Sequence, residues 1–330
     1  MRRPGIAVVL SLGLLLSLGS VAGAADGDGG YAASFLQVPI GARPAGMGAY
    51  LAVSNDGAAP LFNPAGLAGL DHKLFATSYR AMQLDRVLGY ATAIFPARGQ
   101  SALGVHWLYA GSGSVAMRDY NGVPTGEDFS LNSHVFSIVF AKRFERYLAI
   151  GTKLNYFHSL MPDVKAFSVG FDFGGMLYVD QFINREKRET MPIRDIQLAL
   201  TLKNFAAKYM WNSEKFNRSR SGYGELGYDQ DDQVPIEVGL GGSARFLNRK
   251  LLLATDLVKN TKQDPVFRGG AEYFVTPEFA IRGGYAASRF SAGTGYAFKL
   301  GKQAAMIDYA FNSDRVDEGS EHIFSLEVLF

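Results

Sequence analysis

Ala166-Phe167-Ser168-Val169-Gly170-Phe171-Asp172-Phe173-Gly174, continuing through Gly175-Met176-Leu177-Tyr178-Val179-Asp180, alternates between two kinds of side chain. Phe167, Val169, Phe171, Phe173, Leu177 and Val179 share one face, and Ser168, Gly170, Asp172, Gly174 and Asp180 share the other. A period of two marks a β-strand whose faces meet different surroundings. Residues 195–203 repeat the pattern, with Ile196, Leu198, Leu200 and Leu202 opposite Gln197, Ala199, Thr201 and Lys203. Residues 233–245 set Val234, Ile236, Val238 and Leu240 against Gln233, Glu237, Gly239, Ser243 and Arg245. Alternation recurs over 148–156, 267–275, 279–285, 292–300 and 305–311. Segments of roughly ten residues match tilted strands crossing a bilayer.

The last such segment runs to Phe330, with Phe324, Leu326, Val328 and Phe330 on one face and Ser325 and Glu327 on the other. An aromatic residue closing an apolar ladder is what outer-membrane barrels present to the barrel-assembly machinery, so these four residues are the expected assembly signal. From Lys73 onward about fourteen strands can be counted, an even number as single-chain bacterial barrels require. Two of them, 87–95 and 102–110, are blurred by small residues.

The polar face carries both charge signs, among them Lys153, Asp172, Lys203, Glu237, Asp256, Glu272, Arg282, Asp308 and Glu327. A soluble double sheet would also alternate. Two features favour a barrel: the apolar face has too little helix to cover it, and glycines crowd the polar face at 151, 170, 174, 239, 293 and 295. A curved, crowded lumen wants small residues there. Connection lengths agree. Long polar segments at 111–129 and 211–232 fall on the outer side, and short turns fall on the periplasmic side. The charged stretch 181–194 is the exception, a fairly long periplasmic connection read as a solvated loop or a docking element.

Composition narrows the classes further. The 330 residues hold 33 Lys and Arg against 31 Asp and Glu, a net charge of +2, with no Cys. That balance offers no electrostatic grip on nucleic acid. Absent cysteine excludes disulfides, thiol nucleophiles and a lipoprotein anchor. Arg2-Arg3, an apolar run from Ile6 to Leu18, and Ala22-Gly23-Ala24 compose an export signal over 1–24. No later stretch is apolar enough for a membrane helix.

Residues 31–70 do not alternate. Gly41-Ala42-Arg43-Pro44-Ala45-Gly46-Met47-Gly48 is followed by Asn55-Asp56 and by Asn63-Pro64-Ala65-Gly66-Leu67. Asn55 or Asp56 suits the cap of a short helix, and Asn63 before Pro64 matches an N-cap followed by proline at the first helical position. A compact Ala/Gly-rich segment of this size suits a barrel lumen that would otherwise be a water channel. Arg43 is expected to pair with a lumen carboxylate and seat the segment.

These motifs, together with Asn204-Phe205, Val234-Pro235-Ile236, Ala254-Thr255-Asp256-Leu257, Gly270-Ala271-Glu272-Tyr273 and Ile281-Arg282-Gly283-Gly284-Tyr285, resemble the PorV/PorQ family of outer-membrane proteins. That family is similar to the FadL-type transporters of hydrophobic compounds. The resemblance implies a fourteen-stranded antiparallel barrel over 72–330 in the outer membrane of a diderm bacterium. It also implies a hatch over 25–71, with Arg43, Gly46, Gly48, Asp56, Asn63, Pro64 and Ala65 as its motif residues. Known members act in type IX secretion or in surface attachment of exported cargo. Secretion-system subunits, cargo, outer-membrane lipid and the assembly machinery are therefore the expected partners.

No catalytic or cofactor motif emerges. There is no Gly-x-Ser-x-Gly elbow or phosphate loop, and Gly239-Leu240-Gly241-Gly242 lies inside a strand. His72, His106, His134, His158 and His322 are scattered without a metal-binding spacing and are read as interfacial or loop residues. The reading is a non-enzymatic barrel without metal or cofactor, serving protein secretion or surface attachment. The alternative is a FadL-like channel for small hydrophobic molecules, and a purely structural barrel is the third. Because the inward face reads as Gly, Ser and charge, any apolar pocket is expected from the hatch or the outer loops.

Overall fold

The computed structural model describes residues 31–119, 121–162, 164–212, 229–313 and 319–330. The export signal over 1–24 and the outer-loop residues Tyr120 and 223–228 lie outside them. Fourteen strands form the wall: β1 Leu74–Ala81, β2 Val87–Ala97, β3 Ser101–Gly111, β4 Asn132–Phe144, β5 Leu148–Met161, β6 Val164–Tyr178 and β7 Arg194–Phe205. The others are β8 Glu237–Phe246, β9 Leu251–Asn260, β10 Val266–Phe274, β11 Phe279–Ala286, β12 Arg289–Leu300, β13 Gln303–Asn312 and β14 Glu321–Leu329. Each pairs antiparallel with the next, and β1 pairs with β14 from Leu74↔Leu329 to Ala81↔His322. Closure gives each of the fourteen wall strands a neighbour on both sides, the condition for a sheet to stand in hydrocarbon.

The outward faces are apolar and uncovered. On β6, Phe167, Val169, Phe171 and Phe173 are 38–49% exposed, while Ser168, Gly170, Asp172 and Gly174 face inward. Such a continuous band of exposed Phe, Leu, Ile and Tyr is stable only against lipid. Aromatic side chains gather toward the long-loop end: Trp107, His134 and Phe136 stack with centroids 6.1–6.4 Å apart. Phe324 belongs to the outward face of β14, and Val328 lies on the same side although buried.

The wall is interrupted at one level. Asn204 and Ala206 both take left-handed backbone angles (φ 61°), and the chain resumes pairing with β6 at Met210↔Phe167. Across from this kink Pro235, which has no N–H to donate, separates Asp229–Gln233 from β8. Asp172 and Ser168 accept the displaced N–H groups of Asn204 (2.8 Å) and Lys208 (2.7 Å), and the Asn204 amide donates to Pro235 O at 2.9 Å. Asn204-Phe205 and Val234-Pro235-Ile236 are thus the two sides of one bend, whose displaced backbone groups find partners.

At the outer end, Val115–Arg118 pairs antiparallel with Pro124–Phe129. At the periplasmic end, residues 179–194 are more ordered than a solvated loop: a 3-10 turn at Val179–Phe182 leads into the helix Arg185–Thr190.

Candidate functional site

Residues 31–70 pack against the inward face of the wall, and the inward glycines mark where. A Cβ on Gly270 would lie 1.7 Å from the Met47 carbonyl oxygen, and one on Gly151 would lie 2.3 Å from the Pro64 carbonyl carbon. No larger residue fits at either position without moving the backbone opposite it. The segment folds as α1 Ala42–Met47, α2 Ala59–Phe62 and a 3-10 helix at Pro64–Gly69. The first helix is not evident from spacing; it ends at Gly48, whose φ of 74° permits the reversal. Asn63 caps the 3-10 helix as the sequence predicts, accepting from Ala65 N at 3.0 Å. Its amide also donates to Leu51 O (3.1 Å) and to Gly175 O on β6 (3.3 Å), tying the turn to the wall.

The expected partner of Arg43 is Glu272 on β10. Nε and Nη2 donate to the two carboxylate oxygens at 2.9 Å each, a bidentate pair in which Glu272 is wholly buried. Nη1 reaches back to Tyr50, Asn55 and Asp56 within the segment, at 3.1–3.2 Å. Tyr50 in turn donates to Asp56. Glu272 is shared with Arg282 Nε (2.8 Å), and Arg282 continues to Asp308 at 2.6 Å. Buried charge is tolerated here because nearly every member is paired.

Other wall carboxylates hold the segment's backbone instead of its side chains. Asp256 accepts from Tyr50 N (2.5 Å) and Leu51 N (3.1 Å), and Glu327 accepts from Gly57 N at 2.8 Å. Ser325 accepts from Ala42 N at 2.8 Å. Lys153–Asp172 (3.1 Å) and Lys203–Glu237 (2.6 Å) close two further pairs on the wall itself. Charges on β9, β10, β11, β13 and β14, far apart in sequence, therefore serve one interface.

Toward the outer loops the inward face changes character. Tyr90, Leu108, Val135 and Phe157 lie side by side in register on β2–β5 and are buried. Tyr209 packs edge-on against Phe157 with centroids 6.1 Å apart, and Trp211 adjoins the same cluster. Phe35, Leu36 and Val38 pack, partly buried, against the large hydrophobic cluster to which these belt residues belong. Arg80, buried at the outer end of β1, clamps the segment by donating to Pro39 O while pairing with Glu321. One row nearer the periplasm the wall turns polar, with Thr92, His106, Ser137 and Asn155 in register.

This corrects two expectations. The inward face is not only Gly, Ser and charge; an apolar belt belongs to the wall itself. It was hidden in β2, where the small residues Gly89, Ala91 and Ala93 point outward and the large Leu88, Tyr90 and Ile94 inward. His106 is a buried lumen residue, hydrogen-bonded through Nδ1 to Thr92 Oγ1 at 2.6 Å, not an interfacial one. His134 and His158 stand directly opposite each other on β4 and β5, a pairing that linear spacing could not reveal.

Of the predicted motif residues, Arg43, Gly46, Gly48, Asn63, Pro64 and Ala65 meet the wall, whereas Asp56 bonds Arg43 and Tyr50 within the segment. Gly46 O accepts from Ser291 Oγ at 3.2 Å, and Gly46 leaves space for Gly293 opposite. Asp256, Glu272, Asp308 and Glu327 were visible as lumen charges, but their partners were not.

No protein-family model matches the chain, and no curated protein matches it by sequence. Solved structures do. A FadL homologue from Pseudomonas aeruginosa superposes with a TM-score of 0.58 at 12% identity, covering 89% of this chain and 98% of its own. The Pseudomonas putida toluene transporter TodX gives 0.55 at 14%, covering 87% and 96%. The monoaromatic hydrocarbon channel CymD gives 0.56 at 13%, covering 88% and 97%. At these identities the likeness is one of fold: this chain is an all-β, fourteen-stranded outer-membrane barrel of FadL-like architecture from a diderm bacterium. Nothing in these comparisons names the PorV/PorQ family.

Proposed function

We propose that the barrel admits small hydrophobic molecules from the outer surface and that residues 31–70 act as its hatch. The observation carrying this reading is the apolar belt of Tyr90, Leu108, Val135 and Phe157 inside the outer half of the lumen. A water-filled porin needs no such surface. Apolar pockets with a few polar anchors are what hydrophobic ligands require, and here the Thr92–His106–Ser137–Asn155 row supplies the polar side. Phe35, Leu36 and Val38 pack against the hydrophobic cluster that includes the belt, where a ligand could replace them. Between belt and periplasm stand the ion pairs of Arg43 and the close glycine contacts, which hold the hatch shut. The structural neighbours named as hydrocarbon channels support this over a role in secretion.

Trp211 borders the belt and Trp107 faces outward, so a W107F protein carries a single reporter. Monoaromatic hydrocarbons and medium-chain alkanes should change Trp211 emission saturably in detergent. A response that rises linearly with ligand, as simple partitioning into the micelle does, would contradict the reading.

The secretion or attachment reading has one structural feature in its favour, the exposed strand pair Val115–Arg118 and Pro124–Phe129 beyond the outer rim. It would be supported if a barrel lacking 114–130 lost exported proteins that otherwise copurify with it while keeping ligand binding.

A further inference from the structure

Charge is distributed unevenly along the barrel axis. The short-turn end, counted over residues 71–73, 96–101, 142–147, 180–195, 245–250, 276–278 and 299–302, holds fourteen Lys and Arg against seven Asp and Glu. The rest of the chain from residue 26 on has the opposite balance, seventeen basic to twenty-four acidic. Near neutrality of the whole conceals a basic periplasmic rim.

At one place on that rim the cations enclose a cavity. Asp180, Gln181, Arg188, Arg194 and Arg249 line a pocket of about 410 Å³ between the 179–194 connection and the β8–β9 turn. Arg188 donates to Gln181, and Arg249 pairs with Asp195 at 2.9 Å, a carboxylate also 3.8 Å from Arg245. Two guanidiniums therefore share one carboxylate, and the pocket's own lining has three guanidiniums to one carboxylate. The turn that places Arg249 is set by left-handed angles at Leu247, Asn248 and Arg249 (φ 51°, 54° and 71°).

Exposed apolar side chains stand near the pocket-lining residues in the chain, Phe182 next to Gln181 and Leu247 two residues before Arg249. Phe182 and Leu247 are 61% and 62% exposed, and Leu198, on the strand that Arg194 begins, is 50% exposed on the lipid face. Tyr147 stacks on Phe182 at 4.5 Å and holds that ring in place. A soluble anion would use the arginines alone. A molecule with a phosphate head and a hydrocarbon tail would use both surfaces, and it is already present at this depth in the membrane.

We propose that this pocket binds the phosphate-bearing headgroup of an anionic phospholipid from the periplasmic leaflet, with its acyl chains lying along Leu198 and Leu247. Guanidinium forks match phosphate oxygens in pairs, which favours arginine over lysine in such a site. The bound lipid would fix the barrel's depth and tie the 179–194 connection to the membrane surface.

The test uses the full-length barrel in mixed micelles holding equimolar phosphatidylglycerol and phosphatidylcholine, with retained lipid counted by native mass spectrometry. The wild type should retain phosphatidylglycerol over phosphatidylcholine by about tenfold or more, given the usual contribution of each basic residue near an anionic surface. R188Q/R194Q/R249Q should lose that preference, and R118Q at the opposite end should keep it. Arg188→Lys should restore only part of what Arg188→Gln removes. Millimolar inorganic phosphate should leave the retained lipid in place. Equal retention of both lipids by the wild type, or an unchanged preference in the triple variant, would overturn the proposal. Displacement by inorganic phosphate would assign the pocket to a free anion and overturn it as well. The heat-modifiable shift on gels checks that the variants are folded. If the triple variant fails that check, R249Q alone carries the same comparison.

Discussion

Residues 41–67 meet the wall through ion pairs, backbone hydrogen bonds and glycine contacts, whereas Phe35, Leu36 and Val38 of residues 34–38 pack against the apolar cluster that includes the belt. The first kind of contact is directional. Arg43 fits Glu272 in one geometry, and Met47 fits over Gly270 only at one register. The second kind depends on area and not on orientation, so another apolar body of similar size can replace it. One continuous segment is thus bound tightly near the periplasm and exchangeably near the outside, which is the arrangement a ligand-responsive hatch needs.

Removing Arg43 should break the comparison most severely. R43A leaves Glu272 and Asp56 facing the lumen with one guanidinium fewer, and loss of one partner from a buried ion pair costs about 3–5 kcal/mol. The hatch should loosen, with a large rise in planar-bilayer conductance and faster proteolysis within 41–67. Conductance equal to wild type would mean that the pair does not hold the hatch. At the opposite end, V135D places an unpaired charge in the apolar belt. Saturable ligand response at Trp211 should weaken at least tenfold, about 1.4 kcal/mol, while conductance stays low. If both variants changed both readouts alike, the two ends would not be separable.

Smaller effects sharpen the contrast. N63A removes a cap of about 1 kcal/mol and the tie to Gly175, so conductance should rise modestly, well below R43A. F35A should act in the reverse direction to V135D, uncovering the belt and raising ligand affinity severalfold; weaker binding would make Phe35 part of the pocket wall. Phe330→Asp lies on the lipid side and should alter neither lumen readout per assembled barrel. It should instead lower the amount of assembled protein, measured as the heat-modifiable band, if the outward ladder of β14 is read during insertion.

Several of these residues could be found in the sequence, for a definite reason. Asn63-Pro64 is a local capping signal, and its geometry depends on atoms two residues apart. The inward glycines stood out because period two assigns a face to every strand position, and a face of glycines implies something pressed against it. Glu272 could be assigned to the lumen on the same ground. Its choice by Arg43, 229 residues away, could not, because partner selection among the inward carboxylates depends on where α1 comes to rest. The belt was missed for a different reason. In β2 the outward positions are Gly89, Ala91 and Ala93, so the usual inference that the larger residues face lipid is inverted there.

Period-two alternation follows from the pleat of an extended chain, a property of each strand alone, and so the all-β class and the faces of most strands, though not of β2, were legible in the sequence. Which residues stand side by side across strands depends on the stagger at which fourteen strands close, a condition on the ring as a whole. The tertiary structure alone therefore decided that Tyr90, Leu108, Val135 and Phe157 form one belt, that His134 faces His158, and that Arg43 settles on Glu272. Distant side chains meet only after the ring has closed and the N-terminal segment has taken its place within it.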